Sequence, residues 1–381
     1  MTTNSNYRIG AALLALQIGW LAAPVHAKEP VRPAKRATTT ATVTRRTPST
    51  LVRKTAAAPK AAHVLKETSA GATTAAKRKS TTIVMTRRQR AAARAAADER
   101  EIADTVTPRY KVDASGDLVP DLRAAAAIIY NPETNQVLWE ENSGDQRSIA
   151  SITKVMTAAV FMESNPDLTE PVTIAHSDVY RASTTQLRLN DALTTGDLLH
   201  LLLIASDNAA ARALARVSPH GFDGFIDRMN AKALELGLKS THYSDPSGLL
   251  SDDVSSALDL ARLIAYASAD ERIGAIMRTP TYTVHATTRD ISFRTTNHLL
   301  GRPDVEVLAG KTGFISKAGY CLATLLRLPQ SGQEVAVVVL GARSNAGRFM
   351  ETQNLFNWLS ARASTVFATQ TPVRLTQPQQ Q

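Results

Sequence analysis

Cysteine is almost absent from the chain. Cys321 is the single one, so no disulfide can form within the chain, and cysteine usage does not identify a compartment. Aromatic residues make up 5% of the sequence, and none lies between residues 28 and 109. After the first 27 residues, no stretch is long and apolar enough to cross a bilayer. A segment without aromatic side chains cannot bury enough apolar area to offset the entropy lost on ordering, so we expect the core after about residue 118.

The first 27 residues have the pattern of an export signal. Arg8 precedes an apolar run over residues 9–23, and Val25-His26-Ala27 supplies the small residues that a signal peptidase needs. The run is shorter than the ~20 residues of a membrane span and is interrupted by Gln17, which favours a cleaved signal peptide over an uncleaved anchor. We therefore predict export to the periplasm or cell envelope.

The positive charge of the chain is concentrated in one segment. Residues 28–110 hold 19 Lys and Arg against 6 Asp and Glu, whereas residues 111–381 hold 24 against 28. Residues 28–118 are therefore predicted to be a disordered basic tether, with a short helix over 87–104 as an option. An anionic envelope polymer is a candidate partner for residues 28–110, and a solvated spacer without a partner is the alternative. No nucleic acid is expected.

The order of strand and helix patterns after residue 118 predicts one α+β domain over residues 119–365, followed by a disordered tail at 366–381. Alternating residues predict an antiparallel sheet built from both ends of the domain, and a helical pattern dominates from about residue 151 to 270. The predicted strands are 124–130, 136–140, 305–308 running on into Lys-Thr-Gly, 320–328 and 334–340, and the predicted last helix is 347–359.

The stretch Ser151-Ile152-Thr153-Lys154 is the first candidate for chemistry. If a helix begins near Ser151, positions i and i+3 share a face and the lysine amine lies beside the serine hydroxyl. A lysine acts as a base only when its pKa is depressed, and a helix N-terminus or a second cation would depress it. An ordinary helix start explains the spacing equally well, and Ser148 has no base in register.

The second candidate is Ser206-Asp207-Asn208, a polar turn between two apolar helical runs. Serine, aspartate and asparagine are all helix N-caps, so the motif is open to a structural interpretation. Its functional interpretation is a hydroxyl that relays a proton and an amide that holds a substrate carbonyl.

The third candidate is Gly310-Lys311-Thr312-Gly313-Phe314 in a predicted strand. Glycines within a strand often let a ligand backbone approach closely, and a lysine and a threonine beside them can hold a carboxylate. A bulged edge strand is the structural alternative. A phosphate-binding loop does not fit, because the spacing that it requires is absent.

The three motifs together are more specific than any one of them. Each occurs once, and Ser206 follows Ser151 at a separation of 55 positions, as Lys311 follows Ser206 at a separation of 105. The set Ser-x-x-Lys, Ser-x-Asn and Lys-Thr-Gly is the signature of penicillin-binding proteins and class A β-lactamases. Over about residues 120–362 the sequence resembles the low-molecular-mass penicillin-binding proteins, the serine D-Ala-D-Ala peptidases. The segments that resemble their endopeptidase branch are 206–208, 229–233, 246–249, 296–298 and 311–321.

The resemblance implies a β-lactamase or transpeptidase-like fold, in which an antiparallel sheet is flanked by a helical subdomain, and it implies no cofactor or metal. The substrate would be a peptidoglycan peptide stem, and β-lactams would inhibit by acylating the same serine. Ser151 is implied to attack the carbonyl of the penultimate D-Ala, with Lys154 as its base. Ser206 is implied to relay a proton to the leaving amine, and Asn208 to hold the peptide backbone.

The resemblance also implies a substrate-binding strand. Lys311 and Thr312 would bind a carboxylate of the substrate, and Gly313 and Phe314 would continue the strand. The backbone N–H groups of Ser151 and Phe314 would form an oxyanion hole.

Several other functions compete with this one. A class A β-lactamase needs a Glu-x-x-Leu-Asn pattern, and the nearest string, at 235–239, lacks the asparagine. A carboxypeptidase would use the same residues and release terminal D-Ala, so it stays an alternative, as does a penicillin-binding scaffold that acts through its basic tether. A Ser-His-Asp hydrolase of the Gly-x-Ser-x-Gly type and a zinc peptidase both lack their motifs.

Overall fold

The computed structural model describes residues 107–363 continuously and a few single positions between 86 and 103. The predicted signal peptide, most of the predicted tether and the predicted tail lie outside the described residues. At the described positions between 88 and 103 the backbone is helical, in agreement with the helix considered over 87–104. No helix among the described residues is both long enough and apolar enough to span a membrane.

The fold is α+β, as predicted, and its centre is a five-stranded antiparallel sheet with the order β11-β12-β13-β3-β4. Four two-stranded ribbons pair β1 with β2, β5 with β8, β6 with β7 and β9 with β10. The strands are β1 Tyr110–Val112, β2 Leu118–Pro120, β3 Ala126–Asn131, β4 Gln136–Glu141, β5 Arg147–Ser148, β6 Pro171–Thr173, β7 Ala192–Thr194, β8 Val254–Ser255, β9 Thr281–Ala286, β10 Arg289–Arg294, β11 Glu306–Ile315, β12 Gly319–Arg327 and β13 Glu334–Ala342.

The helices cover both faces of this sheet and form a helical subdomain beside it. A 3-10 turn, Ala150–Ile152, precedes the first of them, and a π-helical turn, Leu201–Ala205, follows the third. The α-helices are α1 Thr153–Met162, α2 His176–Val179, α3 Thr195–His200, α4 Asn208–Val217, α5 Gly221–Glu235, α6 Ala257–Ser268, α7 Glu271–Met277 and α8 Asn345–Ser360.

The apolar run in β13 shows why the sheet is buried on both faces. Successive strand residues point to opposite faces. Val335, Val337 and Val339 pack in the core beneath α8, whereas Ala336 and Val338 pack in the larger core that contains α1 and α6. A strand with two buried faces needs an unbroken apolar sequence, and the chain supplies one here.

Helix α1 lies at the centre of the larger core, and all ten of its residues are buried. A helix that is buried on every side has no polar face to place in water. Lys154 is nevertheless one of these residues, so its charge state has to be settled by its surroundings.

One predicted boundary is wrong. The tether was predicted to run to residue 118, but Tyr110–Val112 forms β1, and Lys111 pairs with Glu141 at 2.8 Å. The hairpin of β9 and β10 was not predicted: its strands do alternate polar and apolar residues, but Thr287 and Thr288, which join them, are not a strong turn signal.

Candidate active site

Ser151 lies in the 3-10 turn that leads into α1, where the sequence predicted a helix start. The preceding residue, Ala150, is fully buried and has a left-handed backbone with φ of +51°, which is uncommon for a residue with a side chain. The sharp turn that results places the Ser151 hydroxyl one turn before Lys154, and the Ser151 Oγ lies 2.9 Å from the Lys154 Nζ. Ser148, the other serine of this stretch, belongs to β5.

The Lys154 amine contacts three oxygens and no solvent. Besides the Ser151 Oγ, its Nζ lies 2.7 Å from the Asn208 Oδ1 and 2.5 Å from the carbonyl oxygen of Ser247. These last two oxygens only accept hydrogen bonds. The charged amine donates to all three oxygens. The neutral amine has two N–H groups and one lone pair, so it donates to these last two oxygens and turns its lone pair to the Ser151 hydroxyl.

Burial is the main reason that the Lys154 amine can lose its proton near neutral pH. It lowers the pKa of the amine from 10.5 to about 7, while the charges of Asp245 and Asp207 act in the opposite direction, and that of Arg212 lowers the pKa further. The sequence had suggested the helix N-terminus and a second cation as the causes. In the structure the low-dielectric surroundings of α1 carry most of the effect.

The Ser206-Asp207-Asn208 motif serves both as a cap and as part of the site. The Asp207 side chain caps α4 by accepting from the N–H groups of Ala209 and Ala210, which is the structural role considered from the sequence. This cap fixes Asn208 as the first residue of the helix. The Asn208 amide then spans two segments, because Oδ1 accepts from Lys154 and Nδ2 donates to the carbonyl of Ala182 at 2.7 Å.

Ser206 is held in a left-handed conformation, with φ of +60°, at the end of the π-helical turn. Its hydroxyl accepts a hydrogen bond of 2.8 Å from the Lys311 Nζ. The second motif thus touches both other motifs, through Asn208 to Lys154 and through Ser206 to Lys311.

The Lys-Thr-Gly motif lies in β11, which is an edge strand of the central sheet. Lys311 is buried, and its pKa is lowered well below the ordinary value by burial first, then by Lys154 and Arg348. The Thr312 hydroxyl donates to the Thr296 hydroxyl at 2.6 Å, so the predicted carboxylate-binding pair lies beside a second threonine. Phe314 is half exposed and stacks on Tyr320 with ring centroids 4.2 Å apart.

The glycines of this strand are explained by contacts within the chain. A Cβ on Gly313 would lie 2.6 Å from the carbonyl oxygen of Ile149, and one on Gly310 would lie 2.4 Å from the Asn297 Nδ2. Both glycines therefore permit a close approach within the chain. The Ile149 carbonyl, in the segment before Ser151, approaches Gly313, and the Asn297 side chain approaches Gly310. The N–H groups of Ser151 and Phe314 belong to these adjoining segments, and their role as an oxyanion hole stays a prediction.

A loop that sequence reasoning did not place in the site closes it from the other side. Asp245 accepts hydrogen bonds from the N–H groups of Ser247, Gly248 and Leu250 and from the Ser247 hydroxyl. This holds the Ser247 carbonyl against Lys154. Gly248 has φ of +76°, and a Cβ there would lie 2.0 Å from the Ala150 carbonyl oxygen. An Asp followed by Pro-Ser-Gly is a turn signal, but nothing in it marks a carbonyl as a contact of the base.

The predicted residues of all three motifs therefore come together from α1, the α3–α4 junction and β11. Among the described residues, no group of three or more His, Cys, Asp and Glu side chains is placed to hold a metal ion. A serine hydroxyl facing the lone pair of a buried amine is suited to nucleophilic attack on a carbonyl. The fold and this pair define a peptidase-like site of the transpeptidase kind.

Comparisons with known proteins agree with this class. The profile of peptidase family S11, D-alanyl-D-alanine carboxypeptidase, matches residues 113–344, and the chain belongs to this family of D-Ala-D-Ala peptidases. It is 34% identical to a D-alanyl-D-alanine endopeptidase of Escherichia coli K12 over 63% of this chain and 78% of the relative. It is 35% identical to a D-alanyl-D-alanine endopeptidase of Pseudomonas aeruginosa over 64% of this chain and 79% of the relative.

A solved structure shows the same fold. The crystal structure of the Streptomyces K15 DD-transpeptidase is similar with a TM-score of 0.60 and 28% identity, over 64% of this chain and 98% of that one. The predicted transpeptidase-like fold is thereby confirmed.

Proposed function

We propose that the chain is a serine D-alanyl-D-alanine endopeptidase that hydrolyses D-Ala-containing cross-links of peptidoglycan through an acyl-enzyme on Ser151. The observation that carries the proposal is the environment of the Lys154 Nζ. In the neutral amine the two N–H groups are used by the Asn208 Oδ1 and the Ser247 carbonyl, which leaves the lone pair to face the Ser151 Oγ at 2.9 Å. The proton acceptor is thus oriented before any substrate arrives.

The acylation step follows from this geometry. The Ser151 Oγ forms a bond to the carbonyl carbon of the penultimate D-Ala while its proton passes to the Lys154 Nζ. The bond from that carbon to the leaving nitrogen then breaks, and the leaving amine takes a proton by way of the Ser206 hydroxyl, which Lys311 contacts at 2.8 Å. Water hydrolyses the resulting ester and restores the serine.

The remaining motif residues bind the substrate in this proposal. Lys311 and Thr312 attract and hold a carboxylate, and Asn208 also presents its amide to the peptide backbone. Gly313 and Phe314 extend the edge strand β11, whose outer side has no partner strand within the described sheet. An extended peptide can add to such an edge.

The endopeptidase activity is proposed over carboxypeptidase activity because the E. coli and P. aeruginosa relatives, which match most of their length, are both D-alanyl-D-alanine endopeptidases. The family profile carries the carboxypeptidase name, so the reaction needs a direct test. Incubation with cross-linked muropeptide dimers is expected to release monomers. Release of free D-Ala without release of monomers would contradict the proposal and identify a carboxypeptidase.

Mass spectrometry after penicillin labelling tests the nucleophile itself. We expect one adduct, on Ser151, and none in Ser151→Ala. An adduct on another residue would remove the basis of the mechanism. If Ser151→Ala kept the biological role and deletion of residues 28–110 abolished it, the chain would be a scaffold that acts through the basic tether.

The setting of this reaction is also part of the proposal. Peptidoglycan lies outside the cytoplasmic membrane, so the substrate agrees with the export predicted from residues 1–27. Contact of residues 28–110 with an anionic envelope polymer would keep the peptidase domain near that substrate.

A further inference from the structure

A second pocket lies beside the candidate active site. Its volume is about 490 Å³, and its walls come from the end of α2 with the residues after it, one side of α4, the start of α5 and the loop over residues 244–250. The residues that matter for its chemistry are Tyr180, Arg181, Arg212, Phe222, Leu249 and Leu250.

The apolar part of this wall is unusually open to solvent. Tyr180 is 54% exposed, Leu250 is 49% exposed and Phe222 is 37% exposed. Single exposed apolar residues are ordinary on a protein surface, but three that line one cavity form a surface that a ligand can cover.

The charged part of the wall is cationic. Arg216 forms an ion pair with Asp178 at 2.8 Å. The Asp245 carboxylate accepts hydrogen bonds from the Ser247 hydroxyl and the Gly248 N–H of its own loop. Arg181 lies over the Tyr180 ring at 5.2 Å, and Arg212 donates one hydrogen bond of 2.7 Å to the Tyr180 carbonyl. Among the described residues, neither Arg181 nor Arg212 has a carboxylate partner. Two guanidinium groups beside aromatic and aliphatic side chains match an acidic peptide with apolar stretches.

The pocket adjoins the site through shared elements. Arg212 follows Asn208 by four residues of α4, which places it on the same face and about 6 Å farther along the helix axis. Two loops that line the pocket, the one after α2 and residues 244–250, also contact the site. The Ala182 carbonyl accepts a hydrogen bond from Asn208, and the Ser247 carbonyl accepts one from Lys154. The pocket and the site are therefore built on the same helix and the same two loops.

We propose that this pocket is a subsite that binds a carboxylate-bearing part of the acidic peptide stem, with Arg181 and Arg212 as its specificity-determining residues. The inference rests on the proposed function for the identity of the peptide, since peptidoglycan stems carry free carboxylates. Such a subsite selects long cross-linked stems over short D-Ala-D-Ala peptides.

The test measures equilibrium binding, so that it does not depend on catalysis. In the full-length chain with Ser151→Ala, titration calorimetry at low salt compares cross-linked stem dimers that carry free carboxylates with the same dimers after amidation. We expect roughly tenfold tighter binding of the acidic dimer, in the range of one charge-assisted hydrogen-bonded pair. Adding Arg181→Gln and Arg212→Gln is expected to reduce this preference to less than about twofold.

Matched variants keep the result interpretable. Arg302→Gln removes an exposed arginine that pairs with Asp304 away from the pocket, and it is expected to keep the full preference. If the double variant fails to fold, Arg181→Gln alone is used, because that side chain is exposed; it is expected to reduce the preference about threefold.

Two results would overturn the subsite: equal affinity for the acidic and amidated dimers in the parent, or a preference that survives loss of both arginines. Penicillin labelling of the chain that retains Ser151 is measured separately. If Ser151 is not labelled but the arginine-dependent preference for the acidic dimer is found, the proposed function fails and the subsite stands. If Ser151 is labelled but the preference is absent, the subsite fails and the proposed function stands.

Discussion

Replacement of Asp253 by asparagine tests how the loop behind the catalytic lysine is held. Asp253 is fully buried, and its Oδ1 accepts from the N–H groups of Ser244 and Asp245. Its Oδ2 is buried with no donor in reach, and its carboxyl group lies beside that of Asp245, whose charge acts on it. Two carboxylates this close do not both ionise, so we place one proton between them, on Asp253.

The proton makes the stability of the domain depend on pH in a definite direction. Burial and the charge of Asp245 raise the pKa of Asp253 from 3.8 to about 8, so between these values the native state holds a proton that the unfolded chain has released. The stabilisation is complete below pH 3.8 and is lost as the pH rises through about 8. The slope is about 1.4 kcal/mol per pH unit, or at most about 4 kcal/mol between about pH 5 and 8. The pKa of Asp245 is lowered, so that carboxyl is ionised in both states across this window and adds no slope.

The amide introduced by Asp253→Asn presents the same acceptor to the two N–H groups and a donor to Asp245, but it does not titrate. Urea unfolding followed by circular dichroism at pH 5 and pH 8 is expected to give a change in stability that is more favourable in Asp253→Asn than in the unmodified chain by up to about 4 kcal/mol. Lys154 and Lys311, whose lowered pKa values make stability rise with pH, contribute equally to both proteins and cancel in this difference. Labelling of Ser151 by penicillin at pH 7 is expected to persist, because the Ser247 carbonyl still faces Lys154. Asp270→Asn is the matched control: it removes an acid whose pKa is lowered, so it cannot remove a stability loss toward alkaline pH. An unchanged slope in Asp253→Asn would refute the shared proton.

Three further predictions concern the nucleophile and its base. The rate of Ser151 acylation by a fluorescent penicillin is expected to rise about tenfold per pH unit below pH 7 and to level off above it, because Lys154 accepts a proton only when neutral and its pKa is about 7; a flat profile from pH 5 to 8 would exclude it as the base. Lys154→Arg places a permanently charged group that cannot accept the proton, so labelling is expected to slow by about a hundredfold to ten-thousandfold in a chain that still unfolds cooperatively. Gly248→Ala is expected to destabilise by about 2–5 kcal/mol in urea unfolding, because the Cβ meets the Ala150 carbonyl at 2.0 Å and φ is +76°. Gly221→Ala, with φ of +64° and open space around the Cβ, reports the backbone strain alone, and an equal loss in both variants would rule out the close contact as the cause.

The sequence predicted much of the sheet and the three motifs because these depend on local patterns. The apolar run of β13 identifies a strand buried on both faces, and the i, i+3 spacing of Ser151 and Lys154 places both side chains on one helix face. Their combination with Asn208 and Lys311 came from resemblance to a family, because no local pattern specifies how segments far apart in the chain meet.

The features of the site that were not predicted depend on tertiary contacts, and no residue type in the sequence marks such contacts. The Ser247 contact with Lys154 is made by a backbone carbonyl, which every residue possesses. The neutrality of Lys154 follows from burial on all sides of α1, which its own sequence does not show. The shared proton of Asp245 and Asp253 depends on a turn that brings two acids eight residues apart into contact.

The position of Ser151 is set by packing as much as by the three motifs. The segment before it is held between two close approaches, since Gly313 of β11 faces the Ile149 carbonyl and Gly248 faces the Ala150 carbonyl. The N–H of Ile149 also donates to the carbonyl of Asp253, which ties the same segment to the loop that orients the lysine. A side chain at either glycine would displace the nucleophile from a base that it meets at 2.9 Å. Gly313 of the Lys-Thr-Gly motif is therefore constrained by the backbone before Ser151, and Lys311 is constrained by its hydrogen bond to Ser206. The third motif thus positions the first two, in addition to any contact that it makes with substrate.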